Sequence, residues 1–342
     1  ALHQASVTGG VTDLSGPSGI DPSVNASTAR LPEVVALAVV EVPEELPPTL
    51  SAAAAISGSM EALAVSGFQV DVEDGGVTAT ATGDLKDVMA LKGLTAAVAA
   101  EAGSVAAFSK YAKTELPDLG PVTASATVAS SGETFSVSDI KADLSAQGIQ
   151  AALEGSLADA VAVKGLDARV KVNLASLAVL NQLTGRELPD SGPLSLGGSL
   201  VSEEGLDAPA RISGSLDGDG VRARVNGSIQ DLLAANGIAV VLNVEGDSVT
   251  QLARLAGQEI RHDESLKFDG NLYVGSSGYK AEKLKLQMGP ATLTGEAEYI
   301  PPGKEDEKSS LKAKVHIDQF DLEPYIVLAG PDPAPEGEMA GG

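Results

Sequence analysis

The chain has 342 residues and no cysteine, and its formal charge of −24 argues against nucleic acid, whose binders neutralise phosphates with Lys and Arg. The same charge disfavours electrostatic docking on an anionic bilayer, the missing cysteine excludes a disulfide framework and the common zinc sites, and no run of 18 apolar residues could span a membrane as a helix. With 43% hydrophobic but only 3% aromatic residues, 38 glycines and 18 prolines, the composition suits many short strands around a thin apolar layer.

The chain opens at Ala1 inside a strand-like pattern without a visible signal peptide, so it reads as an excerpt, and any membrane anchor is expected to lie outside it. Residues 1–49 form the degenerate opening of an array: GIDPSV (19–24) resembles a strand, and LPEVVALAVV (31–40) sits where a helix is expected. Residues 50–289 then repeat with a period of 72. The tract GVTATATGDL (76–85) recurs as GIQAALEGSL (148–157) and GVRARVNGSI (220–229). GLTAAVAA (93–100) recurs as GLDARVKV (165–172) and GIAVVLNV (237–244). VTASATV (122–128) becomes LSLGGSL (194–200) and LKFDGNL (266–272), and FSVSDIKADL (135–144) opens a fourth strand type.

Each tract alternates apolar and polar residues with period two, the mark of a half-buried strand. Between the second and third strands, SVAAFSKYAKTEL (104–116), SLAVLNQLTGREL (176–188) and SVTQLARLAGQEI (248–260) predict one short helix per repeat. Each opens on serine, a favoured N-cap, and the last two end around Gly185 and Gly257. After residue 289 the spacing shrinks: PATLTGEAEY (290–299) and LKAKVHI (311–317) read as two more strands, and DQFDLEPYI (318–326) as a short helix or turn. That partial repeat covers 290–328, and the Pro/Gly/Ala-rich stretch 329–342 reads as a linker.

Four strands of about 7 residues present an apolar face of roughly 440 Å² per repeat, and a helix of about 12 residues covers roughly 180 Å² of it. The remainder has three possible covers: a second sheet, an apolar ligand in a groove, or another chain. The expected fold is therefore mainly β, a repeated antiparallel sheet curled into an elongated apolar groove. The alternation places Leu166, Val170, Leu194, Leu196, Ile238, Leu242, Leu266 and Phe268 on the apolar side. These are the candidate lipid-binding positions, with an ordinary sandwich core as the competing reading.

The alternating strands, the helix ends LPDLGPV (116–122) and LPDSGPL (188–194), and the closing QFDLEPYI (319–326) before a Pro/Ala-rich tail resemble the AsmA family, the AsmA-, TamB- and YhdP-like proteins of the proteobacterial envelope. The resemblance spans residues 45–340 and rests on short segments rather than one diagnostic motif. It implies a periplasmic β-groove tethered to the inner membrane by a segment absent from this chain. It also implies phospholipid acyl chains as cargo on the way to the outer membrane. A scaffold for outer-membrane protein precursors and a ligand-free structural or adhesive β-repeat are the alternatives.

Nothing points to an enzyme, a cofactor or a metal. His3, His262 and His316 are not at ligand spacing, and HDE (262–264) falls in a post-helix turn where solvated charge is expected. The recurring Gly76 and Gly83 lack the lysine of a phosphate loop and bracket a strand instead. Asp321 and Glu323 read as terminal solvated charge.

Overall fold

The computed structural model describes residues 4–11, 20–28, 49–59, 62–185, 187–250, 264–276, 278–302 and 309–318. They form β1 (Gln4–Val11), β2 (Ile20–Thr28), β3 (Thr49–Ser59), β4 (Ala62–Asp74), β5 (Val77–Asp87) and β6 (Lys92–Ala102). Next come β7 (Val122–Ser131), β8 (Phe135–Ala146), β9 (Ile149–Asp159), β10 (Lys164–Leu174), β11 (Leu194–Ser202) and β12 (Ala210–Gly218). The last six are β13 (Val221–Ile229), β14 (Ile238–Gly246), β15 (Leu266–Gly275), β16 (Gly278–Met288), β17 (Ala291–Ile300) and β18 (Ser310–Asp318).

Every strand pairs antiparallel with its neighbours in sequence, so the 18 strands form one open meander. At about 4.8 Å per strand the sheet runs about 80 Å along its hydrogen-bonding direction. Tight hairpins join most strands. Gly75 and Gly76 connect β4 to β5 with φ of 61° and 87°, the positive-φ pair whose twist matches that of the flanking strands.

The connections β6–β7, β10–β11 and β14–β15 all leave from one rim. The first carries a 3-10 turn, Val105–Phe108, running into an α-helical turn, Ser109–Ala112; the second carries Leu177–Leu180 and Asn181–Thr184. The serine caps form as expected: Ser104 Oγ accepts from the Ala106 amide and Ser176 Oγ from the Ala178 amide, both at 3.2 Å. The left-handed terminators are Lys113 (φ 53°) and Gly185 (φ 63°). These caps stop well short of the helices read over 104–116 and 176–188. Apolar spacing persists beyond the helical turns, but the chain there is already turning into an extended return held by Asn181 Oδ1 on the Leu188 amide at 2.7 Å. The third cap starts at Val249, and its remainder, with Gly257, lies outside the described residues. So do 31–40, the segment 319–326 and the tail 329–342.

The packed core is small and sits beneath the second cap. Ile149, Leu174, Leu194 and Val221 form it, with Leu177, Val179 and Leu180 of the cap laid across them. Val77, Ala102 and Val249 are buried at the same rim. Away from it, the register of β4, β8 and β16 is broken by bulges, between Val65 and Phe68, Val137 and Ile140, and Ala281 and Leu284. Each bulge holds one left-handed residue, Gly67, Asp139 or Lys283. Bulges bend the strand and raise local twist, so they set where the sheet curves. In β12 the ladders on both sides run unbroken, and that strand is shorter at 9 residues.

Candidate functional site

Cross-strand partners share a face, so the register alone assigns every side chain to one side of the sheet. From β10, Leu166, Val170, Val172 and Leu174 stand opposite Ser202, Gly198, Leu196 and Leu194 of β11. Leu196 then meets Leu216, Leu216 meets Ala223, and Ala223 meets Val244. Val244 pairs with Phe268, Ile238 with Val274, and Gly246 with Leu266, while Leu242 faces Val225. All eight expected positions therefore lie on one face.

The same face continues in both directions. Towards the start it runs through Leu153, Ala142, Ala124, Ala100, Ala79, Val72 and Leu50. Towards the end it runs through Leu286, Leu293 and Ile317. The opposite face carries Thr78, Lys141, Lys171, Arg224 and Lys285 in the alternate positions. Cross-strand ion pairs lace it, including Lys267 to Glu245 at 3.3 Å and Lys314 to Glu296 at 3.0 Å. Hollows of 470 and 510 Å³ on this side include Thr78, Glu101, Asp143 and Lys171 in their walls.

Burial varies sharply along the apolar face. Leu174 and Leu194, at the capped rim, are each 3% exposed, whereas Val170 is 40% and Leu153 39% exposed. Leu194 therefore belongs to the packed core under the cap. Leu196 borders that core, while Leu166, Ile238, Leu242, Leu266 and Phe268 are half-buried without being sealed. No second sheet stacks on the face among the described residues. The lateral crowding of neighbouring side chains, rather than an opposing layer, gives these positions their partial cover.

A polar cluster at the capped rim was not anticipated from the sequence. Asp74, buried at the end of β4, is ion-paired with Lys110 of the first cap and accepts a 2.9 Å hydrogen bond from the Tyr111 hydroxyl. The Lys110 hydrogen bond holds the Asp74 carboxyl below its ordinary range against the opposing effect of burial. A signal existed: Asp74 stands 72 residues before Ala146 and 144 before Gly218, a charge where the other two tracts carry small neutral residues.

Among the described residues no group of three or more carboxylates or histidines is placed to hold a metal, and no helix is long and apolar enough to cross a membrane. His316 lies exposed on the polar face of β18, opposite Thr294, while His3, His262, Asp321 and Glu323 fall outside the described residues. Comparison with protein-family models, with curated proteins and with solved structures finds no match to this chain.

Proposed function

We propose that the apolar face is an open trough that takes lipid acyl chains along its length, and that the chain is an AsmA-like segment of the bacterial envelope supporting phospholipid movement to the outer membrane. The observation that carries this reading is the continuity of the face across all 18 strands with its middle left half-exposed. In a closed sandwich, positions such as Val170 and Leu153 would be the deepest part of the core. Soluble proteins seldom leave contiguous apolar patches beyond a few hundred Å² in water. Each acyl CH₂ transferred to such a surface gains about 0.8 kcal/mol, without a directional contact to fix the chain in place.

The bulges of β4, β8 and β16 and the recurrence of strand starts at Val77, Ile149 and Val221 support one four-strand unit used repeatedly, with β12 as the counterpart strand that lacks the bulge. The caps would close one rim of the trough and leave the other free. Periplasmic placement and an inner-membrane tether belong to the same proposal and rest on the sequence resemblance.

Native mass spectrometry with lipid extraction tests it. Several phospholipids per chain are expected after purification from a Gram-negative host, with fewer in Val170→Asp and Phe268→Asp at unchanged circular dichroism. A folded, lipid-free chain would overturn the trough. A second reading is favoured by one feature: from Leu311 to Asp318 every residue of β18 is exposed, and among the described residues this strand pairs only with β17, an edge able to add a strand from an outer-membrane protein precursor. Crosslinking from β18 to an unfolded barrel protein would support that scaffold role.

A further inference from the structure

Among the described residues the most exposed large apolar side chains are Val161 at 75%, Met89 at 74%, and Leu233 and Leu311 at 71%. All four lie at the uncapped rim. Met89, Val161 and Leu233 occupy the tips of the hairpins β5–β6, β9–β10 and β13–β14. Each tip is held the same way. Asp87 Oδ1 accepts from the Ala90 amide at 3.0 Å, Asp159 Oδ1 from the Val161 and Ala162 amides at 2.9 and 3.0 Å, and Asp231 Oδ1 from the Ala234 amide at 2.9 Å. Two residues after each tip, Leu91, Val163 and Ala235 take left-handed φ of 49°, 53° and 48°. A lone exposed leucine needs no explanation. A clamped, backbone-strained turn that turns its apolar side chain outward three times does.

We infer that the uncapped rim docks on a zwitterionic bilayer surface, inserting these tips between lipids. Four strands separate successive tips, about 19 Å. The loops between them carry Glu133, Glu203 and Glu204, charges that interrupt the apolar run from tip to tip, whereas a stable protein interface asks for roughly 800 Å² of contiguous surface per partner. A lipid leaflet is apolar wherever it is entered and accepts anchors one by one. Tyr279 and Tyr299, with ring centroids 6.0 Å apart, lie on the same rim beside Ile300 and supply the amphipathic rings suited to a polar–apolar boundary. The rim glutamates and the chain's charge of −24 repel anionic lipid, which leaves a neutral surface as the partner. This docking stands apart from the trough reading: tips can insert whether or not the face holds acyl chains.

The chain contains no tryptophan, so single probes report cleanly. Met89→Trp, Val161→Trp and Leu233→Trp would be mixed with phosphatidylcholine vesicles containing brominated acyl chains, with Leu183→Trp on the second cap as the opposite-rim control. Quenching at two or more tips with the control unquenched is the expected result. Quenching at fewer than two tips, or equally at the control, overturns the inference. The triple variant Met89→Ser/Val161→Ser/Leu233→Ser should weaken vesicle partitioning by about tenfold or more. Its co-purified lipid should be unchanged, so failure of rim docking and failure of the trough are separable. Unaltered vesicle partitioning in that variant would also overturn the inference.

Discussion

Gly227 offers the sharpest test of how this sheet is held together. It lies on the apolar face of β13 opposite Val240, and a Cβ placed there would fall 2.0 Å from the Ala239 carbonyl oxygen and 2.7 Å from Val240 Cα. Gly83 and Gly155 make the same close approach, to the Thr95 and Asp167 carbonyl oxygens at 2.0 and 2.7 Å. In Gly227→Ala, β13 and β14 must separate by more than about 1 Å to restore van der Waals distance. That displacement breaks at least two ladder hydrogen bonds at about 1 kcal/mol each, and the disturbed packing adds about 1–2 kcal/mol. The local cost is therefore about 3–4 kcal/mol. Because a long sheet of this kind opens in parts rather than all at once, the readout is amide hydrogen exchange across β13 and β14. Exchange there should accelerate by roughly 150- to 1000-fold, with β5 and β6 unaffected. Gly103→Ala is the control, since nothing lies within 4 Å of its would-be Cβ and its φ is not left-handed. If Gly227→Ala exchanges no faster than Gly103→Ala, close strand approach at these glycines contributes nothing to the ladder.

Leu194→Ala should cost about 2–4 kcal/mol by leaving a cavity under the second cap, measured as faster exchange at Leu177–Leu180, while Val170→Ala at the open middle should cost under about 1 kcal/mol. Asp74 has a folded pKa below its unfolded value, so the stability it gives the first cap is full above the ordinary carboxylate range and is lost as pH falls through the depressed folded value. Acid should therefore loosen Val105–Ala112 in the native chain, and Asp74→Ala should show that looseness already at neutral pH, with a loss of about 1 kcal/mol because Lys110 is part-exposed. Limited proteolysis at Lys110 and Lys113 across that pH range is a direct check. Ala235→Gly should stabilise the β13–β14 hairpin by about 0.5–1 kcal/mol, since φ of 48° costs alanine what glycine avoids. Thermal denaturation followed by circular dichroism would register it as a raised midpoint.

Face assignment was readable from the residues because a strand has a period of two and the tract alternates with the same period. Leu166, Val170, Leu242 and Phe268 land on one side with no tertiary information needed. Depth along the strand was not readable. Leu194 and Val170 have the same parity and similar chemistry, yet one is sealed and the other open, because only the position of the cap distinguishes them. The cap itself was announced by Ser104 and Ser176, whose hydroxyls satisfy the first free amides, but its length was overestimated. Apolar spacing of three and four residues is met by a 3-10 turn plus one α-turn as well as by a longer helix. The Asp74–Lys110–Tyr111 cluster joins residues 36 and 37 apart, a pairing that becomes visible only once the strand and the cap meet.

An open meander with an even number of strands per unit has no closure condition. A barrel must match strand number, tilt and stagger before its last strand can find its first, but here β1 pairs only with β2 and β18 only with β17 among the described residues. Val77, Ile149 and Val221 begin strands of the same direction and the same facing. Excising 149–220 would join β8 directly to β13, and each rim and each face would still continue into its own kind. The molecule's reach is thus a countable quantity, adjustable in whole four-strand steps like the links of a chain, with nothing in the hydrogen-bonding pattern to dictate where the count must stop.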